Sequence, residues 1–180
     1  MPRLENLLGA QALAIADRIS AAARASGGPS DAAALVTLAA HPGNGVGWLA
    51  GILGLTDSGS TRLVERLVVA GLVERQPGSD ARSRTLRLTD EGARRAQRLL
   101  NDRAADLAGC LADLTPPERQ TLERLLAKIV SGLADDRPTA LRVCRLCDRD
   151  SCAGGPQPCP LGHTTPAVTS GTASTAEGQA

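Results

Sequence analysis

At 180 residues the chain has room for one ordinary domain with an appendage, and too little for two sizeable ones. Twenty basic residues against nineteen acidic ones leave a formal net charge of +1, so any electrostatic function has to come from local clustering rather than bulk charge. Trp48 is the only Phe, Trp or Tyr residue, so the core must be built from Leu, Val, Ile and Ala, a composition that favours helices over sheets.

No stretch approaches the roughly 18 to 20 uninterrupted apolar residues that span a bilayer, which predicts a soluble protein with no membrane partner. The first twenty residues resemble a signal peptide only superficially, because Glu5 and Asp17 bracket a short stretch that itself holds Asn6 and Gln11. Leu4, Leu8, Gln11, Ile15, Ile19 and Ala22 instead trace a stripe at helical spacing, ended by Gly27-Gly28-Pro29. Ser30 is expected to cap a second helix running to about Ala40. His41 to Gly45 reads as a turn, and Val46 to Leu55 as a short helix packed by Trp48 whose glycines make it depend on tertiary contacts.

The most informative stretch is Leu55 to Gly92. Thr56 suits an N-cap, and Asp57 places negative charge at the positive end of the helix dipole. Leu63, Leu67 and Ala70 recur at helical spacing toward a core, while Ser58, Thr61, Arg62 and Arg66 fall on the other face; Ser60 is expected to lie inward. Gly71 suits a left-handed C-terminal cap. Val73-Glu74-Arg75 and Arg84 to Leu88 then alternate apolar and polar around a connector, Gln76 to Ser83, rich in turn residues, which predicts a β-hairpin. The hairpin carries Arg75, Arg82, Arg84 and Arg87. Between Ser58 and Arg98 nine Arg face five acidic residues, a local excess of four. Duplex DNA phosphates are the matching counter-charge.

Beyond the hairpin, Asp90 to Leu114 reads as a long helix with Leu99, Leu100, Leu107 and Leu111 on its apolar side, and Cys110 is expected in the core beside them. Thr115-Pro116-Pro117-Glu118 has the form of a capping box with proline in the first turn. It opens a helix to about Asp136 whose apolar face, Leu122, Leu125, Leu126, Ile129, Val130 and Leu133, is broader than one end of a small domain requires. From Pro138 the composition changes. Cys144, Cys147, Cys152 and Cys159 follow with two, four and six residues between them, and His163, after three more, competes with any one cysteine as fourth ligand. Thiolates at C-x-x-C spacing can converge on one tetrahedral zinc ion; a thiol redox switch and an unliganded tail are the open alternatives. Crowding of four cysteines into so short a run resembles ligand spacing more than a secreted disulfide framework, which points to a reducing cytoplasm. Thr164 to Ala180, almost free of charge and of large apolar residues, is expected to be disordered.

The run GLVERQPGSDARSRTLRLTDEG resembles the wing signature of MarR-type winged-helix regulators, with D-x-R at Asp80-Ala81-Arg82 and L-T-x-x-G at Leu88 to Gly92, and LTDSGSTRLVERL resembles that family's recognition helix. The resemblance covers roughly residues 4 to 136. It implies a mainly α fold with a small β-hairpin, a winged helix-turn-helix flanked by N- and C-terminal dimerisation helices. It also makes Arg82 the wing arginine and Asp80 its structural companion. The chain thus divides into 1–137, a winged-helix DNA-binding and dimerisation domain; 138–163, a cysteine-rich metal or redox segment; and 164–180, a tail. The expected function is a transcriptional regulator, a repressor that binds a pseudo-palindromic operator as a homodimer and releases it on an unidentified small effector, oxidation or metal change. The expected DNA contacts are Ser58, Thr61, Arg62, Arg66, Arg75, Asp80, Arg82 and Arg84, and DNA binding itself needs no cofactor. Some members of that family carry a similar C-x-L-C-D extension. No catalytic triad, carboxylate pair or phosphate loop stands out, so the chain is not expected to be an enzyme. The alternatives are a winged-helix protein adapter and, more remotely, a thiol oxidoreductase using Cys144-x-x-Cys147, which lacks the βαβ context such enzymes use.

Overall fold

The computed structural model describes residues 2–24, 27–78, 83–154 and 157–165. Eight helices, a hairpin and a short 3-10 turn follow in the order α1 (Arg3–Arg24), α2 (Pro29–Ala40), α3 (Val46–Leu53), α4 (Asp57–Val69), β1 (Val73–Pro77), β2 (Arg84–Leu88), α5 (Asp90–Cys110), α6 (Pro116–Ser131), α7 (Arg137–Val143), α8 (Arg149–Ala153) and the 3-10 turn Gly162–Thr164. Among the described residues no helix is long and apolar enough to cross a membrane.

The central core is aliphatic, as the near-absence of aromatic residues requires. The run from Asp31 to Leu38 on α2 is buried throughout, and it packs against Leu49 of α3, Leu63, Val64 and Leu67 of α4, Val73 and Leu86 of the hairpin, and Ala96 and Leu99 of α5. β1 and β2 pair antiparallel, with Val73 opposite Leu88 and Arg75 opposite Leu86. The turn after α2 extends this pairing: Gly43 donates to Leu86 O at 3.0 Å, and the Leu86 amide donates to Asn44 O at 2.9 Å. The helix-turn-helix and the wing are therefore tied backbone to backbone.

The caps explain most of the boundaries. Thr56 Oγ1 accepts from the Gly59 amide at 3.1 Å, as its position predicted, and Ser60 is buried with its hydroxyl donating to Asp57 O at 2.9 Å. Gly71, at φ 67°, takes the left-handed turn after α4 that an L side chain rarely adopts. Thr89 then works on two elements at once. Its Oγ1 accepts from the Gly92 amide at 3.1 Å, capping α5, and donates to the Gly71 carbonyl at 2.7 Å. The Thr89 amide adds a bond to Leu72 O at 3.1 Å.

Several expectations need correcting. The second helix is capped by Gly28 rather than Ser30, because Pro29 occupies the first helical position, where a proline's missing N–H costs nothing. The long helix stops at Cys110 instead of Leu114, and the next stops at Ser131, where Gly132 opens a turn. Cys110 is exposed, not in the core, with its Sγ 3.4 Å from Asp106 O, because this end of α5 extends past the central core. Thr164, expected at the start of the disordered tail, is buried and donates to Leu161 O at 2.8 Å; the rest of that tail beyond Thr165 lies outside the described residues.

Gly92 is buried in the first turn of α5, and a Cβ there would run into the Leu72 carbonyl. Gly92→Ala is therefore expected to lower stability by about 1–3 kcal/mol through overpacking against backbone. Gly47→Ala, whose Cβ would meet open space, should be neutral or stabilising by up to about 1 kcal/mol. Thermal or urea unfolding of both variants checks this, and equal effects would refute the packing role given to Gly92.

Candidate nucleic-acid interface and C-terminal thiol cluster

Helix α4 is divided lengthwise. Ser60, Leu63, Val64 and Leu67 are buried, while Ser58, Thr61, Arg62 and Arg66 are exposed. Thr61 Oγ1 donates to Asp57 O at 2.8 Å, and Ser58 Oγ lies 3.3 Å from Thr56 Oγ1, so both hydroxyls are oriented by the first turn. Arg62 projects from the same face. Arg66 differs from the other three: its Nη2 donates to Asp31 Oδ1 at 2.7 Å, with the Asp31 side chain only 9% exposed. One end of that guanidinium is spent on holding α4 against α2, which makes Arg66 a positioning residue before it is a ligand-contacting one.

On the wing, Arg75 and Arg84 are exposed, and Arg84 Nη1 donates to Ser83 O at 3.3 Å. Asp80 and Arg82 lie outside the described residues. Arg87 lines a cavity of about 290 Å³ between α2, β2 and α5, with Leu38, Pro42, Leu88 and Gln97 among its walls.

The segment after α6 folds back on the helix-turn-helix. Arg142 Nη2 donates to Gly51 O on α3 at 3.1 Å. Thr37 Oγ1 on α2 donates to Arg145 O at 3.3 Å, and Leu146 packs on the central core. Arg149 Nη1 sits 2.6 Å from His41 Nε2; a guanidinium can only donate, so the ring presents Nε2 as a lone pair. His41 also meets Trp48 edge to face, with ring centroids 5.5 Å apart. Burial, then the charges of Arg149 and Arg137, hold the His41 pKa below 6.5.

Four cysteines sit within this segment. Cys144 caps α7 and, with Cys159, packs on a small second core of Ala134, Ala140 and Leu161. The Cys147 amide donates to Cys144 O at 2.9 Å, a turn that sets the two thiols as electrostatic neighbours. The bond from the Cys144 thiol raises that group's own pKa and lowers that of Cys147 to about 6; burial opposes the lowering, and Arg103, Arg149 and Arg145 reinforce it. Burial and then the neighbouring Cys159 push Cys152 up. Among the described residues no three Cys, His, Asp or Glu side chains already converge as a metal site. His163 stands apart from the other candidate ligands, because Nδ1 is 3.1 Å from Pro160 O and Nε2 is 3.0 Å from Ala134 O.

Asp31, Arg142, Arg149 and His41 were not read from sequence as partners of the site. Asp31 alone left a signal, as the single acid in an otherwise apolar helical run. The other contacts join residues about 90 to 110 positions apart, which local pattern cannot pair.

A helix with one buried and one hydroxyl- and Arg-bearing face, followed by a basic hairpin, defines a winged helix-turn-helix. No family model matches the sequence, and no curated protein does. Solved structures do. A MarR family protein from Bacillus stearothermophilus is 30% identical with a TM-score of 0.63, over 70% of this chain and 89% of that one. YusO from Bacillus subtilis is 26% identical with a TM-score of 0.62, over 70% and 91%. The Mycobacterium tuberculosis MarR family protein Rv2887, solved in complex with DNA, is 26% identical with a TM-score of 0.58, over 72% and 98%. The chain belongs to the MarR family of winged-helix regulators.

Because the His41 pKa is lowered by folding, the neutral ring is the form the fold favours, and the stability it lends is present above pH 6.5 and lost as pH falls through the lowered value. Hydrogen exchange in α7 and α8 should therefore speed up below pH 6.5 in the wild-type protein. His41→Gln, which keeps an acceptor for Arg149 but cannot titrate, should lack that component; the same acceleration in both proteins would remove His41 as its source.

Proposed function

We propose that this protein is a DNA-binding transcriptional regulator that reads a pseudo-palindromic operator as a homodimer and represses by occluding it. The observation that carries this reading is the exposed face of α4, where Ser58, Thr61 and Arg62 stand clear of the core beside the basic wing. Such a face fits a major groove, hydroxyls and guanidinium suit phosphates and base edges, and the wing arginines Arg75, Arg82 and Arg84 suit the adjacent backbone or minor groove. The related Rv2887 was solved with DNA, which supports the same partner here.

The homodimer rests on apolar surface left uncovered within one chain. Leu4 and Leu13 of α1 are 75% and 70% exposed, Leu125, Leu126 and Ile129 of α6 are also exposed, and α6 has no buried residue at all. A second copy is the partner that covers such faces at both ends of the chain while setting the distance between two recognition helices. The cavity beside Arg87 and Gln97 has the mixed lining and size for a small amphipathic effector, and it touches both the wing and α5, so occupancy would shift one relative to the other.

Arg62→Ala and Arg84→Ala should each weaken binding to duplex DNA, with Arg84→Ala acting evenly across sequences and flattening the salt dependence of log K by roughly one per phosphate contact removed. Operators selected from genomic fragments by the purified protein provide the substrate for that titration, and unchanged affinity and slope in both variants would reject the interface. Leu125→Asp combined with Ile129→Asp should leave the helical content intact and yield a monomer in sedimentation with much weaker operator binding. A wild-type chain that sediments as a monomer at micromolar concentration would sink the dimer.

A further inference from the structure

The C-terminal segment poses a problem of stability. From Gly132 to Thr165 its own core consists of Ala134, Ala140 and Leu161, packed against half-buried Val130, Val143, Cys144 and Cys159. Its helices α7 and α8 have seven and five residues. Units this small rarely hold their shape by apolar burial alone and usually add a metal or disulfides.

We propose that Cys144, Cys147, Cys152 and Cys159 bind one zinc ion through four thiolates, fastening this segment into a module that docks on α2 and α3. This goes beyond the DNA-reading role and can fail independently of it. The chemistry of the donor set comes first: C-x-x-C spacing followed by two more cysteines offers a complete soft tetrahedral shell. Zn–S bonds of about 2.3 Å place the sulfurs of a tetrahedron about 3.8 Å apart, near the separation at which two thiols touch. The Cys147 amide donates to Cys144 O at 2.9 Å, folding the C-x-x-C into a turn, and Cys159 packs on the same three-residue core as Cys144. Among the described residues no three of these side chains stand at metal-holding separation, so loading has to close the cluster around the ion. His163 is not needed as a ligand, since backbone carbonyls occupy both of its ring nitrogens.

Arg103 supplies an independent sign. Its Nε is buried on α5 with no hydrogen-bond partner among the described residues, and it lies within electrostatic reach of Cys147 and Asp148. A buried guanidinium N–H without an acceptor is costly. A zinc-bound thiolate is such an acceptor, and a four-thiolate zinc centre carries a net charge of −2, which Arg103, Arg145 and Arg149 around Cys147 offset. Because the ion takes thiolates, loading releases the thiol protons that remain and strengthens with pH.

The test uses the full-length protein purified under reducing conditions. It should carry one zinc per chain by elemental analysis. After chelation, titration with Co²⁺ should give the thiolate-to-cobalt charge-transfer and tetrahedral visible bands, saturating at one ion per chain. In the zinc-loaded native protein a thiol reagent should find one fast thiol, Cys110, and four protected ones. Cys147→Ser and Cys159→Ser should lose stoichiometric metal, whereas Cys110→Ser and His163→Gln should keep it. The proposal is overturned if all five thiols react at once in zinc-supplemented protein, if the four sulfurs are recovered as disulfides in metal-free protein that gives no cobalt spectrum, or if His163→Gln retains its fold but loses the metal.

Discussion

The hydroxyl of Thr89 joins the two halves of the DNA-reading unit. It donates to the Gly71 carbonyl, at the turn that ends α4, and accepts from the Gly92 amide, at the start of α5. A left-handed glycine on one side and a glycine packed on the Leu72 carbonyl on the other make that bridge geometrically feasible. The wing leaves and returns through the same knot, since Val73 and Leu88 pair directly beside it. The placement of the hairpin relative to the helix is thus set by backbone contacts around a single threonine.

A second constraint holds α4 from its opposite side. Asp31, almost wholly enclosed on α2, takes one end of the Arg66 guanidinium. Burying a carboxylate is costly unless it is paired, so this contact ties the exposed face of α4 to the most deeply buried helix in the protein. Arg142 makes a comparable tie from the C-terminal segment to the carbonyl of Gly51 on α3. The positioning helix, intrinsically weak because of its glycines, is braced from both the core and the extension.

Much of this was legible in local sequence. The capping threonines Thr56 and Thr115, the left-handed Gly71, the alternation along both strands and the apolar stripes all reflect interactions within a few residues, and these yielded α4, the hairpin and the starts of α5 and α6 nearly to the residue. Misplacements occurred where two local signals compete, as when Pro29 displaced Ser30 as the start of α2. They also occurred where periodicity outlasts the helix, as beyond Cys110. Cys110 itself was misjudged because an apolar stripe shows which residues share a face, and not whether that face is covered.

The sequence by itself determined the class of device, because helix periodicity, turn chemistry and the clustering of arginine are properties of neighbouring residues. Tertiary structure alone decided what each charged group is free to do. It divided Arg62, which faces outward, from Arg66, which is committed to Asp31, although both lie on one face four residues apart. It also set the ring nitrogens of His163 against the carbonyls of Pro160 and Ala134 and placed Cys144 and Cys159 on one small core. The physical reason is the same in each case: an ionisable or ligating group acts through whichever partner lies nearest in space, and those partners come from elements up to about a hundred residues away.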